Sequence, residues 1–211
     1  MTIAGDAGVD AFLKVLDPED NATGGGAASA VAGAMAAGLA GMVARVSKGK
    51  PDMEPDDFYE GIDESARRLS KLLMTGARDD SAAFERVMAA YRMPKASDGE
   101  KEKRSAAIQL GMEGATTVPL VNGERCVEVL GLVGRLTPKH NPNAASDLDV
   151  GRRLAAAALA GCIDNVEINL GSLKNEAARE GFMRRLEGLR AAAEAVTAAV
   201  MAGATEGAAD V

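Results

Sequence analysis

Apolar residues return every three to four positions along almost the whole chain, and no stretch alternates with the two-residue period of a half-buried strand. The pattern predicts six helices. The first covers about residues 6–16, with Val9, Phe12, Leu13 and Leu16 on one face, and Asp17-Pro18-Glu19-Asp20 stops it. The second follows Gly24-Gly25-Gly26 and spans about 27–47. The third runs over about 58–91 on Ile62, Leu69, Leu72, Leu73, Phe84, Val87 and Met88, and Pro94 lies just beyond it. Ser97 and Glu100 stand in capping-box spacing before a fourth helix over about 100–136, with a bend expected at Pro119. A loop with two prolines follows at 137–146. Helices over about 147–170 and 174–201 complete the set, and the small, polar tail 202–211 is expected to fray. With no repeat and no linker, residues 1–211 read as one all-α domain, an elongated helical bundle.

Composition sharpens this picture. Aromatic residues make up only 3% of the 211, with no Trp, so the core must come from Ala, Leu, Val, Met and Gly. Small side chains let helices approach closely. Gly33, Ala37 and Gly41 share one face of the second helix and predict such a packing or subunit seam. The net charge of -7 and the lack of a basic block argue against nucleic-acid binding. Cys126 and Cys162, with no CxxC spacing, read as buried thiols of a reducing compartment, and the expected location is cytoplasmic. The first residues lack the basic and apolar regions of a signal peptide. The uncharged run 27–44 is mostly Ala and Gly, so it reads as a buried helix rather than a membrane span.

Five groups of residues are candidates for chemistry. Gly24, Gly25 and Gly26 precede a helix whose first N–H groups have no intrahelical acceptor, which is a ready site for an anion; a plain flexible turn is the alternative. Asp80 lies among core-type positions of the third helix, where burial would raise its pKa toward the range useful for proton transfer; an Asp-Asp pair on a solvated face is the alternative. Asn141-Pro142-Asn143-Ala144-Ala145-Ser146-Asp147 offers hydrogen-bonding side chains, although Ser146 or Asp147 could simply cap the next helix. Asn165 and Asn169, four apart, put two amides on one face of an apolar helix, where they would satisfy neighbouring backbone or read a heterocycle. Lys48, Lys50, Lys95, Lys101, Lys103 and Arg104 could meet a carboxylate-rich ligand if they gather at one mouth. His140, the only histidine, excludes a histidine metal cluster or a Ser-His-Asp triad within one subunit.

In order and spacing, these motifs resemble the cyclodeaminase family, which includes the C-terminal domain of formiminotransferase-cyclodeaminase and single-domain bacterial methenyltetrahydrofolate cyclohydrolases. The resemblance covers about residues 10–189. It rests on Gly24-Gly25-Gly26 with Met42-Val43-Ala44-Arg45, Asp80-Ser81-Ala82-Ala83-Phe84, Tyr91-Arg92-Met93-Pro94-Lys95, Glu102-Lys103-Arg104, Val118-Pro119-Leu120, Ser146-Asp147 and Asn165-Val166-Glu167-Ile168-Asn169-Leu170. It implies an all-α homodimer with a folate ligand near the glycine turn and the subunit interface, and Asp80 as the catalytic acid/base. The expected reaction is hydrolysis of 5,10-methenyltetrahydrofolate to 10-formyltetrahydrofolate. The alternatives are cyclodeamination of 5-formiminotetrahydrofolate and a non-catalytic folate-binding role. Asn165, Asn169 and Asp147 are assigned to the pterin or its hydrogen bonds, Gly24, Gly25 and Gly26 to backbone contacts, and Lys95 and Arg104 to the glutamate tail, with one or several glutamates. No metal or further cofactor is expected. The chain departs from the family at three places: Asn21-Ala22-Thr23 replaces Pro-Thr-Pro, His140 stands where a glycine is usual, and Asn175 replaces an aspartate.

Overall fold

The computed structural model describes residues 7–206, and the side chains of residues 9–198. It contains the six expected helices: α1 (Ala7–Val15), α2 (Gly25–Ser47), α3 (Asp56–Tyr91), α4 (Asp98–Leu136), α5 (Ala145–Leu170) and α6 (Glu176–Glu206). A single 3-10 turn, Pro142–Ala144, precedes α5, and no strand occurs among the described residues. Residue 6, the expected start of the first helix, and residues 207–211 of the tail lie outside the described residues. Residues 202–206, expected to fray, continue α6.

Two boundaries differ from expectation in an informative way. α2 begins at Gly25, with Gly24 extended as its cap, so two of the three glycines form the first helical turn. α5 begins at Ala145, and no side chain caps it. Asn141 caps the preceding 3-10 turn instead, accepting the Asn143 N–H at 3.1 Å, so Ser146 and Asp147 lie inside the first turn of α5. The Ser97–Glu100 capping box forms as expected. Asn175 Oδ1 accepts the Ala178 N–H ahead of α6, a capping role that an aspartate would also fill.

α2 is the central element. Of its 23 residues 14 are buried, most of them Ala or Gly. It is long and apolar enough to cross a membrane, but 67% of that window is buried against the other helices, as for a core helix. α3 and α5 flank it, both antiparallel to it. A Cβ on Gly33 would lie 3.2 Å from Leu73, one on Gly41 would lie 3.2 Å from Ala66, and one on Gly151 would lie 3.4 Å from Leu39. Gly33, Ala37 and Gly41 therefore serve packing within the subunit. α4 closes the back, with Leu120, Cys126, Val129, Val133 and Leu136 in the same apolar core as Leu69 and Leu73. Burying each large aliphatic side chain contributes about 1.5–3 kcal/mol.

The two ends of α2 are held differently. At its C-terminal end Ser47 Oγ accepts the Asn141 N–H at 2.8 Å, and the Asn141 amide donates to the Val46 carbonyl. The buried Tyr59 hydroxyl donates to the Lys139 carbonyl at 2.7 Å and fixes the same loop. At its N-terminal end α2 meets the middle of α3, and Asp80 is there.

Candidate active site

Asp79 and Asp80 separate in environment because they are 100° apart on the helix. Asp79 pairs with Arg78 at 2.6 Å on the outside. Asp80 turns inward between the buried Ala77 and Ala83 and reaches the first turn of α2. A Cβ on Gly26 would stand 2.6 Å from the Asp80 Cγ and 2.5 Å from one of its oxygens. Only a glycine lets the carboxyl approach this backbone.

Burial raises the Asp80 pKa from 3.8 to about 6. A hydrogen bond from the Ala27 N–H favours the carboxylate and opposes that shift without cancelling it. The anion expected at the glycine turn is thus partly supplied by the protein itself. The Gly25 and Gly26 N–H groups, first in the helix, have no intrahelical acceptor.

α5 forms the facing wall. Asn165 stands beside Gly25, its amide nitrogen 3.5 Å from where a Gly25 Cβ would lie, and the same nitrogen donates to the Gly161 carbonyl at 2.7 Å. Ser29 donates to the Gly25 carbonyl at 2.7 Å and occupies the space that a side chain at Gly161 would fill. Cys162 is buried close enough for the Asp80 charge to affect it. The neighbouring Cys126 thiol, then burial, push its pKa strongly upward. Cys162 is thereby held as a neutral thiol beside the titratable Asp80.

Asn169, one turn beyond Asn165, has a different engagement. Pro119 has no N–H, so the Ala115 carbonyl one turn earlier in α4 loses its helical donor. The Asn169 amide donates to that carbonyl at 2.7 Å. Asn169→Ala is expected to destabilise the fold by about 1–2 kcal/mol, because it leaves a half-buried acceptor without its donor. In a Pro119→Ala background, where an N–H returns, the same substitution should lose most of its effect. Urea unfolding of the four chains measures both.

The remaining candidates lie farther away. Lys95 is in the exposed turn after α3. Arg104 donates to the Tyr91 carbonyl at 3.0 and 3.1 Å, and its guanidinium stands 5.5 Å over the Tyr91 ring, closing the end of α3. From Asp80 to Tyr91 is about 16 Å along the helix. Asp147 lies near the opposite end of α2, about 27 Å along α5 from Asn165. Within one subunit the structure gathers Gly24, Gly25, Gly26, Asp80 and Asn165, with Asn169 behind them, and it does not bring Asp147 to that group. His140, on the same distant loop, has Nδ1 2.8 Å from the Thr137 carbonyl. Lys48 binds Glu60 there, and Lys101 binds Asp98.

The motif reading missed a cleft. α3 overruns the start of α2, so Phe84, Met88 and Tyr91 keep an uncovered apolar row at i, i+4 and i+7. Phe84, Met88, Arg86 and Arg92 line an open cleft of about 790 Å³ against Asn21 and Ala22. The signal was present: the apolar row of the third helix continues past the point where its partner helix begins. Asn122 was also missed. It is fully buried against Gly76, one turn before Asp80, and its Oδ1 accepts from Arg125 at 3.1 Å.

An all-α bundle with a half-buried carboxyl of raised pKa at a glycine-opened helix terminus presents a group suited to acid/base chemistry near neutral pH. The chain belongs to the formiminotransferase-cyclodeaminase family, whose model matches residues 8–188. It is 36% identical to a methenyltetrahydrofolate cyclohydrolase of Methylorubrum extorquens, over 92% of this chain and 94% of that protein. It is 28% identical to the formimidoyltransferase-cyclodeaminase of Rattus norvegicus, over 93% of this chain but only 36% of that longer protein. A crystal structure of formiminotetrahydrofolate cyclodeaminase from Thermotoga maritima superposes with a TM-score of 0.80 at 29% identity, covering 92% of this chain and 94% of that one.

Proposed function

We propose that the protein hydrolyses 5,10-methenyltetrahydrofolate to 10-formyltetrahydrofolate, with Asp80 as the acid/base. The observation that carries this reading is the half-buried Asp80 carboxyl, raised to about 6 and held against the N-terminus of α2. Likeness to the Methylorubrum extorquens cyclohydrolase along nearly the whole of both chains supports the choice of substrate.

In this mechanism water attacks the amidinium carbon between N5 and N10. Asp80 takes one proton as the C–O bond forms. The tetrahedral adduct then collapses: the bond from carbon to N5 breaks, N5 receives the proton from Asp80, and the remaining O–H proton leaves for solvent as the formyl C=O forms. A single acid/base group suffices, and neither a metal nor a redox cofactor is proposed. The Gly25 and Gly26 N–H groups and Asn165 border the reacting end. The Phe84–Met88–Tyr91 row suits the aromatic part of the folate, and Arg92, Lys95 and Arg104 suit its glutamate carboxylates. The active form is proposed to be a homodimer. The cytoplasm is the proposed location, in keeping with two adjacent free thiols.

Asp80 must be ionised to accept the proton, so kcat/KM is expected to rise tenfold per pH unit below about 6 and to level off above it. A profile that is flat from pH 5 to 8 after subtraction of the uncatalysed rate would contradict the assignment.

Cyclodeamination of 5-formiminotetrahydrofolate is the second reading, favoured by the close superposition on the Thermotoga maritima protein. There Asp80 would carry a proton from N10 to the departing ammonia. Supplying each substrate separately distinguishes the two.

A further inference from the structure

Asn122 on α4 is buried in a way that packing does not explain. Its exposure is 0%, and its Nδ2 has no hydrogen-bond acceptor, which is true of no other buried side-chain nitrogen or oxygen among the described residues. Gly76 on α3 makes room for it: a Cβ there would lie 2.0 Å from the Asn122 Oδ1 and 2.8 Å from its Nδ2. A leucine would fill the same space without burying an unpaired donor, which is costly.

The direction of the amide is fixed. Arg125 donates to the Asn122 Oδ1 at 3.1 Å and to the Leu72 carbonyl at 2.9 Å. A guanidinium only donates, so the amide oxygen must face it and the nitrogen must face the other way. Leu72, Gly76 and Asp80 follow at four-residue intervals along one side of α3. With Oδ1 drawn toward Leu72, Nδ2 points along α3 toward Asp80. The Cβ positions of residues four apart on a helix are about 5–6 Å from each other. Helical side chains lean toward the N-terminus, which brings the Asp80 carboxyl back toward residue 76. The gap that remains is about the span of one bridging water. Few other groups face Asp80. α2 carries no charge from residue 27 to 44 and supplies the Ala27 N–H. α5 brings Asn165 and the neutral Cys162 thiol, and α4 brings Cys126, with Arg125 beyond Asn122. α1 crosses the outer side of α3, where Asp10 and Lys14 stand with Arg78, and Arg78 pairs with Asp79.

We propose that Asn122 is a positioning residue for Asp80: its Nδ2 donates through one buried water to the carboxylate and steadies it opposite the Ala27 N–H. Arg125 anchors the far end of the amide, and Gly76 leaves the space in which the amide lies. The proposal deepens the acid/base role proposed for Asp80, and only its kinetic consequence rests on that reading. A donor to the ionised form favours that form. Without it, Asp80 keeps its proton to higher pH.

Carboxyl carbon NMR of the intact chain, labelled at aspartate, tests this without any folate. The Asp80 signal is the one lost in Asp80→Asn. Asn122→Leu keeps the volume and removes the donor, and Gly76→Ala displaces the amide without removing it. In both, the Asp80 midpoint is expected to rise by about one pH unit, as for a carboxylate that loses one donor. An unchanged midpoint in either folded variant overturns the proposal. If both variants unfold, the wild type decides. Its Asn122 side-chain amide protons should follow the Asp80 titration and lose that response in Asp80→Asn; an amide that does not respond to pH in the wild type overturns the proposal. Where the hydrolase activity is present, the rising limb of kcat/KM moves with the midpoint. Asn122→Leu should then lose about tenfold at pH 5 and almost nothing at pH 8. An equal loss at every pH would mark a merely structural role and overturn the proposal as well. A wild type without turnover contradicts the folate reading alone, since the carboxyl titration needs no substrate.

Discussion

Asp80→Asn is expected to lower kcat by about a hundred- to ten-thousandfold, the range attributed to one positioned acid/base, with little change in folate binding. The asparagine keeps the shape and can still accept the Ala27 N–H, so the loss isolates proton transfer. The same variant should be more stable than the wild type at neutral pH. The folded-state pKa of Asp80, about 6, lies above its ordinary 3.8, so the folded state disfavours the ionised carboxylate. Wild-type stability should therefore fall as pH rises from about 4 to about 6 and stay level above that. At pH 7.5 the asparagine variant should gain about 1–3 kcal/mol, an advantage that disappears below pH 4. Thermal or urea unfolding at the two pH values measures this. A variant that is less stable at pH 7.5 would place Asp80 in a structural rather than a catalytic role.

Gly26→Ala is expected to be nearly as damaging. Its methyl group would fall 2.6 Å from the Asp80 Cγ, so the carboxyl must swing away or α3 must move. A misplacement of about 1 Å at a reacting group costs on the order of a hundredfold in rate, and overpacking costs about 1–3 kcal/mol of stability. Gly24→Ala is the matched control. A Cβ there meets nothing within 4 Å, and the φ of -102° at Gly24 is open to any L-residue. Near-wild-type activity for Gly24→Ala beside a crippled Gly26→Ala would show that the glycines matter for access to Asp80. Equal losses in both would assign them to backbone flexibility or to ligand contacts along the whole turn.

That contrast shows what the sequence could and could not disclose. Three adjacent glycines before an Ala-rich run announced a helix start and an anion, but not which glycine the anion needs. The answer depends on where α3 crosses α2, a tertiary fact. Helix periodicity, the Ser97–Glu100 box and the Pro119 break were legible because local chemistry fixes them. Asn169 looked equivalent to Asn165 because they share a helix face. Pro119, fifty residues away, makes them different by exposing a carbonyl that only Asn169 reaches. Asp147 read as a neighbour of the site because order along the chain does not say at which end of a 35 Å helix a loop will land. Capping by Ser146 or Asp147 failed for a local reason: Asn141 and Pro142 start a 3-10 turn first, and α5 grows directly from it.

The most direct test follows the near-ultraviolet absorbance of 5,10-methenyltetrahydrofolate with the purified protein against an enzyme-free control. A catalysed decay that yields 10-formyltetrahydrofolate and is absent with Asp80→Asn is the predicted result. Decay no faster than the control, despite measurable folate binding, would contradict the hydrolase. A rise of the same absorbance from 5-formiminotetrahydrofolate with release of ammonia would then transfer Asp80 to the cyclodeaminase reaction.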